Sequence, residues 1–473
     1  KAMKLEYIKN LKLTGTALAI STDENTIAIL DSAYVLYKLN KKDFKMLSNK
    51  KITTKHKKHH HFHKGYSSHG PLQLVTLGGT NSIVLLNITQ GIQKLGVPEW
   101  HEAPIETSII ASNDKFFVTG TQDGKVYIYD TVAAKLIDSL PQKPDYISNL
   151  SLNEENSLLV SSCFNFSTMV YNIETSEIVC EFITEDVIQE ALIMDSNTIF
   201  MVSRNGNALL YDIGKNEIVY NEHYFDEWPS AIALSLDKQA AIVGVRDGSL
   251  HFVDIRNNRL LGRVKTRNVG ISLVYYVDNR FLVAYADGII QIADADHKKE
   301  IFKEVMEKND FTVASSLLDE NILLRVDPVM ELFNTAWRED VLDAVTGLVQ
   351  DNEIQQASSM AEPFLFDLLK KEEFDTLVAG VGHLKTFNEH VEKKEYRDAY
   401  YLAATYPEIC AFGSYIALEA LWEKTFAAVK KLMEANPALN RKKCDALLAP
   451  FFGVVEKKDK AMNILVHSTA FFQ

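Results

Sequence analysis

Apolar and polar residues alternate in short runs along the first part of the chain, and a tight-turn signal precedes many of the runs. The clearest case is Thr121-Gln122-Asp123-Gly124-Lys125-Val126-Tyr127-Ile128-Tyr129-Asp130. It reads as a turn leading into an alternating strand that is closed by an aromatic and an acid. The Asp-Gly pair supplies the positive φ that a two-residue hairpin needs. The unit recurs. Asn205-Gly206 leads into Ala208 to Asp212, Asp247-Gly248 into Leu250 to Asp254, and Asp287-Gly288 into Ile290 to Asp294. Looser copies are Thr168 to Asn172, Ser82 to Asn87 and Tyr34 to Lys38.

These copies end at 38, 87, 130, 172, 212, 254 and 294. The steps are about 40 to 43 residues after a first step of about 49, which is the period of a four-stranded propeller blade. The other strands of a blade are legible too. In the sixth period Ala231 to Leu234 and Ala240 to Gly244 come before the turn, and Leu260 to Val264 follows the third strand. The pattern predicts a seven-bladed β-propeller over residues 1–296, with six and eight blades as neighbouring counts. Leu5 to Ile8 would supply the outer strand of the last blade, and closure would remove the exposed sheet edges.

The aromatic–acid endings resemble those of the WD40 family over roughly three-fifths of the chain. Tyr129-Asp130, Tyr211-Asp212 and Tyr171-Asn172 stand where that family carries Trp-Asp. The Gly-His pair that often opens a repeat is missing, so the resemblance is to a degenerate form. It implies a propeller that holds protein partners.

After about residue 296 the hydrophobic period lengthens toward 3.6 and Asp-Gly turns vanish. Phe311, Ala314 and Leu318 fall on one helical face, as do Tyr396, Ala399, Leu402 and Ala403. Glu307 to Phe311 aligns with Glu392 to Tyr396, and Lys371 to Asp375 looks like a related start. Pro328, Pro363, Pro407, Pro437 and Pro450 stand where helices should begin or end. The longest helix is expected from about Ser414 to Ala435, carrying Leu418, Leu421, Trp422 and Val429. Residues 297–473 are therefore predicted to form an all-α domain. It resembles helical-hairpin solenoids of the tetratricopeptide or coat-protein kind, and an ordinary bundle fits equally well.

The chain has 473 residues, is 47% hydrophobic and carries a net charge of −13. That average field disfavours a nucleic-acid partner. No apolar run approaches the roughly 18 to 20 residues that cross a bilayer. The four cysteines, Cys163, Cys180, Cys410 and Cys444, have no zinc spacing and read as free thiols, which favours a cytoplasmic setting. A secreted or periplasmic chain that had lost its leader would look the same.

Candidate sites are few. His59, His60, His61 and His63 lie in a lysine-rich stretch within the one long step of the repeat. Clustered imidazoles can bind metal, but the flanking lysines disfavour a dication, so a solvated loop is the favoured reading, then a partner-binding patch, then a metal site. Asp123, Asp212, Asp247, Asp254 and Asp287 recur once per blade and are assigned to turns. Gly120 to Val126 only superficially matches a phosphate loop, because it precedes a strand and Val126 replaces the Ser/Thr. Trp100 and Trp228 are the partner-binding candidates, being aromatics in loops between blades. No catalytic residue, cofactor site or small-molecule substrate is evident.

The expectation is a non-catalytic scaffold whose propeller face and helical arm each dock a protein within a multi-subunit complex. The alternative is a ligand- or cofactor-binding enzyme with its site in the central channel. That would require polar residues from several blades converging at one mouth.

Overall fold

The computed structural model describes residues 3–51, 103–133, 135–195 and 197–467, plus the backbone of short strands between 61 and 93. Its strands form seven antiparallel-based sheets. Six of these blades are described with their side chains, and the second by strand backbone alone. Blade four is representative: Ile147–Leu152, Leu158–Cys163, Ser167–Asn172 and Glu177–Ile183 pair in order from the innermost strand outward. Blades five and six repeat it from Ile188–Ile193 and Pro229–Leu234. Inner strands of neighbouring blades contact one another around the ring. The strand Tyr7–Lys12 pairs with Ile289–Asp294 and completes the last blade, so chain start and last repeat share one sheet.

The turn chemistry explains the recurrence. Between the second and third strands the chain crosses three residues in most blades, not two. In blade five Arg204, Asn205 and Gly206 make the turn, and Gly206 donates to the Ser203 carbonyl at 3.1 Å. Gly206 and Gly248 have φ of 93° and 88°. Such a turn needs a left-handed residue at its end, which is why glycine is there. A Cβ on Gly248 would also collide with the Arg267 carbonyl oxygen. Where an acid ends the third strand, it is equally local in purpose. Asp130 accepts from the backbone N–H of Val132 at 2.9 Å and Ala133 at 2.7 Å, and Asp212 from that of Lys215 at 2.9 Å. The tyrosines before these acids are core residues. Tyr129 and Tyr211 are buried, and Tyr211 stacks on Phe182 with centroids 3.7 Å apart.

Strand gives way to helix between Asp294 and Asp296. The first compact unit nevertheless continues to Met330. It includes α1 (Asp296–Glu307) and α2 (Phe311–Glu320), followed by a short helix, Ile322–Val326. Lys4 N–H donates to the Asp319 carbonyl at 3.0 Å, and Ile322 N–H to that of Lys4 at 2.9 Å. Buried Arg325 reaches the Leu261 carbonyl at 3.2 Å and Asp319 at 2.6 Å. These helices thus belong to the propeller's own unit.

The second unit begins at Glu331, and its described residues, as far as His467, are mainly helical. Within it α3 (Met330–Ala336) is followed by α4 (Leu342–Gln350) and α5 (Ile354–Ala361), then α6 (Leu368–Glu392) and α7 (Tyr396–Thr405). The last helices are α8 (Gly413–Ala435), α9 (Pro437–Leu448) and α10 (Val455–His467). Helices α4 and α5, α6 and α7, and α8 and α9 pack as sequential pairs. Left-handed Asn309, Asn352 and Lys394 make the same turn between α1 and α2, α4 and α5, and α6 and α7. Tyr396, Ala399 and Ala403 are buried with Leu418, Trp422 and Val429 in one core. Leu421, on the same helix, is 42% exposed, because it falls on the far side of α8, and α6 at 25 residues, not α8 at 23, is the longer helix. Lys371 to Asp375 is not a helix start: Asp367 caps α6, accepting from Leu369 N–H at 3.0 Å, so that segment lies one turn inside.

Candidate functional site

One hydrogen bond repeats around the ring and defines a set of equivalent positions. The residue following each blade's second strand donates its N–H to the carbonyl of the residue preceding the first strand. The pairs are Ser32 to Thr16, Gln122 to Pro104, Phe164 to Tyr146, Arg204 to Val187, Arg246 to Trp228 and Ala286 to Gly270, all between 2.8 and 3.0 Å. Because neighbouring strands run antiparallel, both positions of every pair lie at one edge of the propeller, its loop rim. The bond is made by backbone, so the blade fold leaves the side chains free. Blades one, three and seven use small or neutral residues there, whereas blades four to six carry large aromatic and cationic ones.

Those side chains meet. Tyr146 and Phe164 have ring centroids 5.6 Å apart. The Arg204 guanidinium carbon lies 4.5 Å from the Phe164 ring centre and 4.3 Å from that of Trp228. Arg246 approaches the same indole to 3.6 Å. Gln189, on the first strand of blade five, ties the group down: its Oε1 accepts from Trp228 Nε1–H and from Arg204 Nε–H, both at 3.0 Å. The result is a ladder of rings and guanidiniums across three blades, one contact between rings and three of cation–π type. Trp228 is half-buried and Arg246 exposed.

The electrostatics are uneven. Burial and then the positive charge of Arg246 pull Arg204 below its ordinary pKa, while Glu106 and Asp186 act the other way. Among the described residues no carboxylate oxygen lies within 4.0 Å of either guanidinium. Farther round the rim Arg267 binds Asp287 through two bonds of 2.6 and 3.0 Å. That pairing holds the Asp287 carboxyl down at about 2.

The central channel differs. A cavity of about 410 Å³ is lined by the inner strands, with Leu18, Ile20, Leu150, Leu192, Leu234 and Leu273 among its walls. The polar side chains there are Ser151, Glu190, Tyr275 and Tyr276. Ser151 Oγ already donates to the Ala191 carbonyl at 2.9 Å. In the helical unit His390 and Glu395 are linked at 2.8 Å across the turn between α6 and α7, with Asp398 nearby. That trio was not singled out from the sequence.

Of the sequence candidates, Trp228 sits in the ladder. Trp100, His59, His60 and His63 lie outside the described residues, and His61 is described only as strand backbone. The turn acids do fix turns: Asp123 accepts from Thr121 Oγ1, and Asp247 from Ser249 N–H at 2.9 Å. All four cysteines are free thiols, Cys163 and Cys444 buried and Cys410 exposed. No helix among the described residues is long and apolar enough to cross a membrane. Phe164, Arg204 and Arg246 escaped the sequence reading. Aligning the repeat copies on their turns would have placed all three in one column.

The fold is that of a WD-repeat-type β-propeller followed by a helical region. No protein-family model matches the chain. It is similar to WD repeat-containing protein 55 of Arabidopsis thaliana, 24% identical over 215 residues, which is 44% of this chain and 60% of that protein. The mouse (Mus musculus) protein of the same name is 24% identical over 203 residues, 41% of this chain and 50% of the relative. The chain thus matches about half the length of these curated relatives.

Proposed function

We propose that this chain is a non-catalytic scaffold, docking one protein on the propeller's loop rim and another on its helical unit, inside a larger assembly. The observation that carries the reading is the ladder from Tyr146 to Arg246. The blade fold works with Ser32, Gln122 or Ala286 at the positions held by Phe164, Arg204 and Arg246, so these large side chains serve something other than folding. Aromatic residues and arginine are the types enriched where proteins bind each other. The helical unit offers exposed apolar side chains of its own, Tyr401 at 74% and Leu439 at 79%. Free thiols favour a reducing, cytoplasmic setting. The mainly aliphatic channel gives little support to the alternative of a polar ligand or cofactor bound on the axis.

The test is site-specific photo-crosslinking in cells. A photoreactive residue at Phe164 should give discrete adducts with a partner protein. The same residue at Glu154, in a turn on the opposite edge of the ring, should not. Trp228→Ala should abolish the Phe164 adducts, and a probe at Tyr401 should capture a different protein. Absence of any rim-specific adduct would end the rim half of the proposal.

A further inference from the structure

Resting on that reading, the geometry points to the chemistry of the rim partner: an acidic peptide segment whose Asp or Glu carboxylates bind Arg204 and Arg246 across the Trp228 indole.

Three observations converge on it. First, two guanidiniums share one indole with no carboxylate within 4.0 Å among the described residues, in a chain of net charge −13. Acidic side chains are abundant and close in sequence: Asp226 and Glu227 immediately precede Trp228. Neither neutralises the pair. Second, the same rim shows what a self-satisfied arginine looks like, since Arg267 is forked onto Asp287 at 2.6 and 3.0 Å. Third, the guanidiniums are pre-positioned. Arg204 is held by Gln189 at 3.0 Å and lies near both the Phe164 and Trp228 rings, and the Arg246 guanidinium carbon sits over the indole, 3.6 Å from its centre. Contact with the ring positions the group while leaving the terminal Nη–H groups to fork onto a carboxylate, a use for which arginine is better suited than lysine. Holding the side chains in place beforehand also reduces the entropy lost on binding.

A peptide suits the site better than a polyanionic nucleic acid. The unpaired charge is confined to two side chains, and the overall field of the chain repels a long phosphate backbone. Tyr146 and Phe164 extend the ladder past Arg204, so an apolar or aromatic residue beside the carboxylates would have a surface to lie on.

The experiment is selection of random dodecapeptides on the full chain, followed by fluorescence-anisotropy titration of the winners. Enrichment of Asp and Glu at two or more positions is expected, with affinity falling as salt is raised. Arg204→Gln combined with Arg246→Gln should weaken the selected peptides at least tenfold. Those variants copy the residue that blade three carries at Gln122, so folding should survive, and thermal unfolding checks it. The Lys variants keep charge but not the planar fork and should fall between. Lys238→Gln, on the opposite edge, should bind like the parent. Winners without acidic enrichment, or equal binding by the double Gln variant, would overturn the inference. If such winners were still lost on Trp228→Ala, the rim would remain a docking site of different chemistry. A uridine oligomer that outcompeted every peptide, in an Arg204- and Arg246-dependent way, would also overturn it.

Discussion

Arg267 and the Arg204–Arg246 pair occupy one rim and are treated oppositely by their surroundings. Arg267 leans over Tyr285 at 4.8 Å and is closed off by Asp287, a turn acid of blade seven. Arg246 immediately precedes the corresponding turn acid of blade six, Asp247, yet that carboxylate faces away. It pairs instead with Arg263 at 3.1 Å and Lys265 at 3.8 Å on the outer strand. Two blades with the same turn therefore route the same acid differently, one neutralising the rim and one leaving it charged. What the turn needs from the acid is only its hydrogen bond to the following backbone, so the acid's remaining charge is available for either use.

If that separation between fold and rim is right, the largest effects on stability should come from the turns and the smallest from the ladder. Gly248→Ala tests the first. At φ 88°, and with the Arg267 carbonyl oxygen in the way, even a methyl group forces the loop entering blade seven to move. A loss of about 3 kcal/mol is expected in urea unfolding. A loss below about 1 kcal/mol would show that the turn is far more plastic than its geometry implies.

A second effect, felt only in acid, belongs to His251 on the third strand of blade six. It is buried, its Nε2 contacts Ser249 Oγ at 3.0 Å, and the Phe225 ring meets it edge-on. Its Nδ1 has no hydrogen-bond partner among the described residues. Burial, then the charge of Arg263, press its pKa down to about 4, while Asp247 and Asp226 oppose this. In the folded chain the ring thus stays neutral at a pH where the unfolded chain has already taken up a proton. The contribution is full above pH 6.5 and is lost as pH falls from there through about 4. On the scale of 1.36 kcal/mol per pKa unit the full loss is about 3 kcal/mol. His251→Leu copies Leu209 of blade five and should remove this slope, so the difference between parent and variant isolates it from the titration of carboxylates. Parallel curves for the two proteins would refute the assignment.

These comparisons also explain what could be read from the chain alone. The third strands were legible because one local requirement, a left-handed residue in the turn before the strand, recurs in the described blades: glycine meets it at Gly124, Gly206, Gly248 and Gly288, and Tyr34 and Phe166 take that place in blades one and four. The helical pairs were legible where an aromatic begins a helix after a charged turn, as at Phe311 and Tyr396. Ile354 also begins such a helix after a left-handed Asn352, but it is not aromatic, and that pair passed unnoticed. Phe374 misled because Asp367 had already started α6. The ladder was illegible for a different reason. Its members lie about forty residues apart, and each looks like an ordinary turn residue until the ring brings the copies together. Trp228 alone drew attention, by its size.

The Asp287 pair should matter less than His251. Asp287→Asn removes the partner of Arg267, but the carboxylate is partly exposed, and ion pairs of that kind contribute below about 1 kcal/mol. Since Arg267 lowers the Asp287 pKa, that contribution is present at neutral pH and disappears as pH falls toward about 2. The more informative readout is binding. Freed from Asp287, Arg267 becomes a third unpaired guanidinium on the rim, and Asp287→Asn should tighten the acidic peptides selected on the parent. Unchanged affinity would mean that the peptide path does not reach blade seven.

The smallest stability effect is expected from the ladder itself. Arg246→Gln removes an exposed side chain that has no ion pair within the described residues and leaves untouched the backbone bond from residue 246 to the Trp228 carbonyl at 3.0 Å. What is lost is one exposed cation–π contact, roughly 0.5 to 1 kcal/mol at most. What is gained is relief of the repulsion that Arg246 exerts on Arg204. The two nearly cancel, so the unfolding free energy should stay within about 0.5 kcal/mol of the parent, as for ordinary surface substitutions. The sharper measurement is the Arg204→Gln, Arg246→Gln cycle. If the arginines repel each other through the indole, the two single changes should sum to a larger stabilisation than the double change gives, since either one alone already removes the repulsion. Strictly additive effects, or a double variant that unfolds far more easily than the parent, would mean that the guanidiniums serve the fold, and the distinction between turn and rim would be lost.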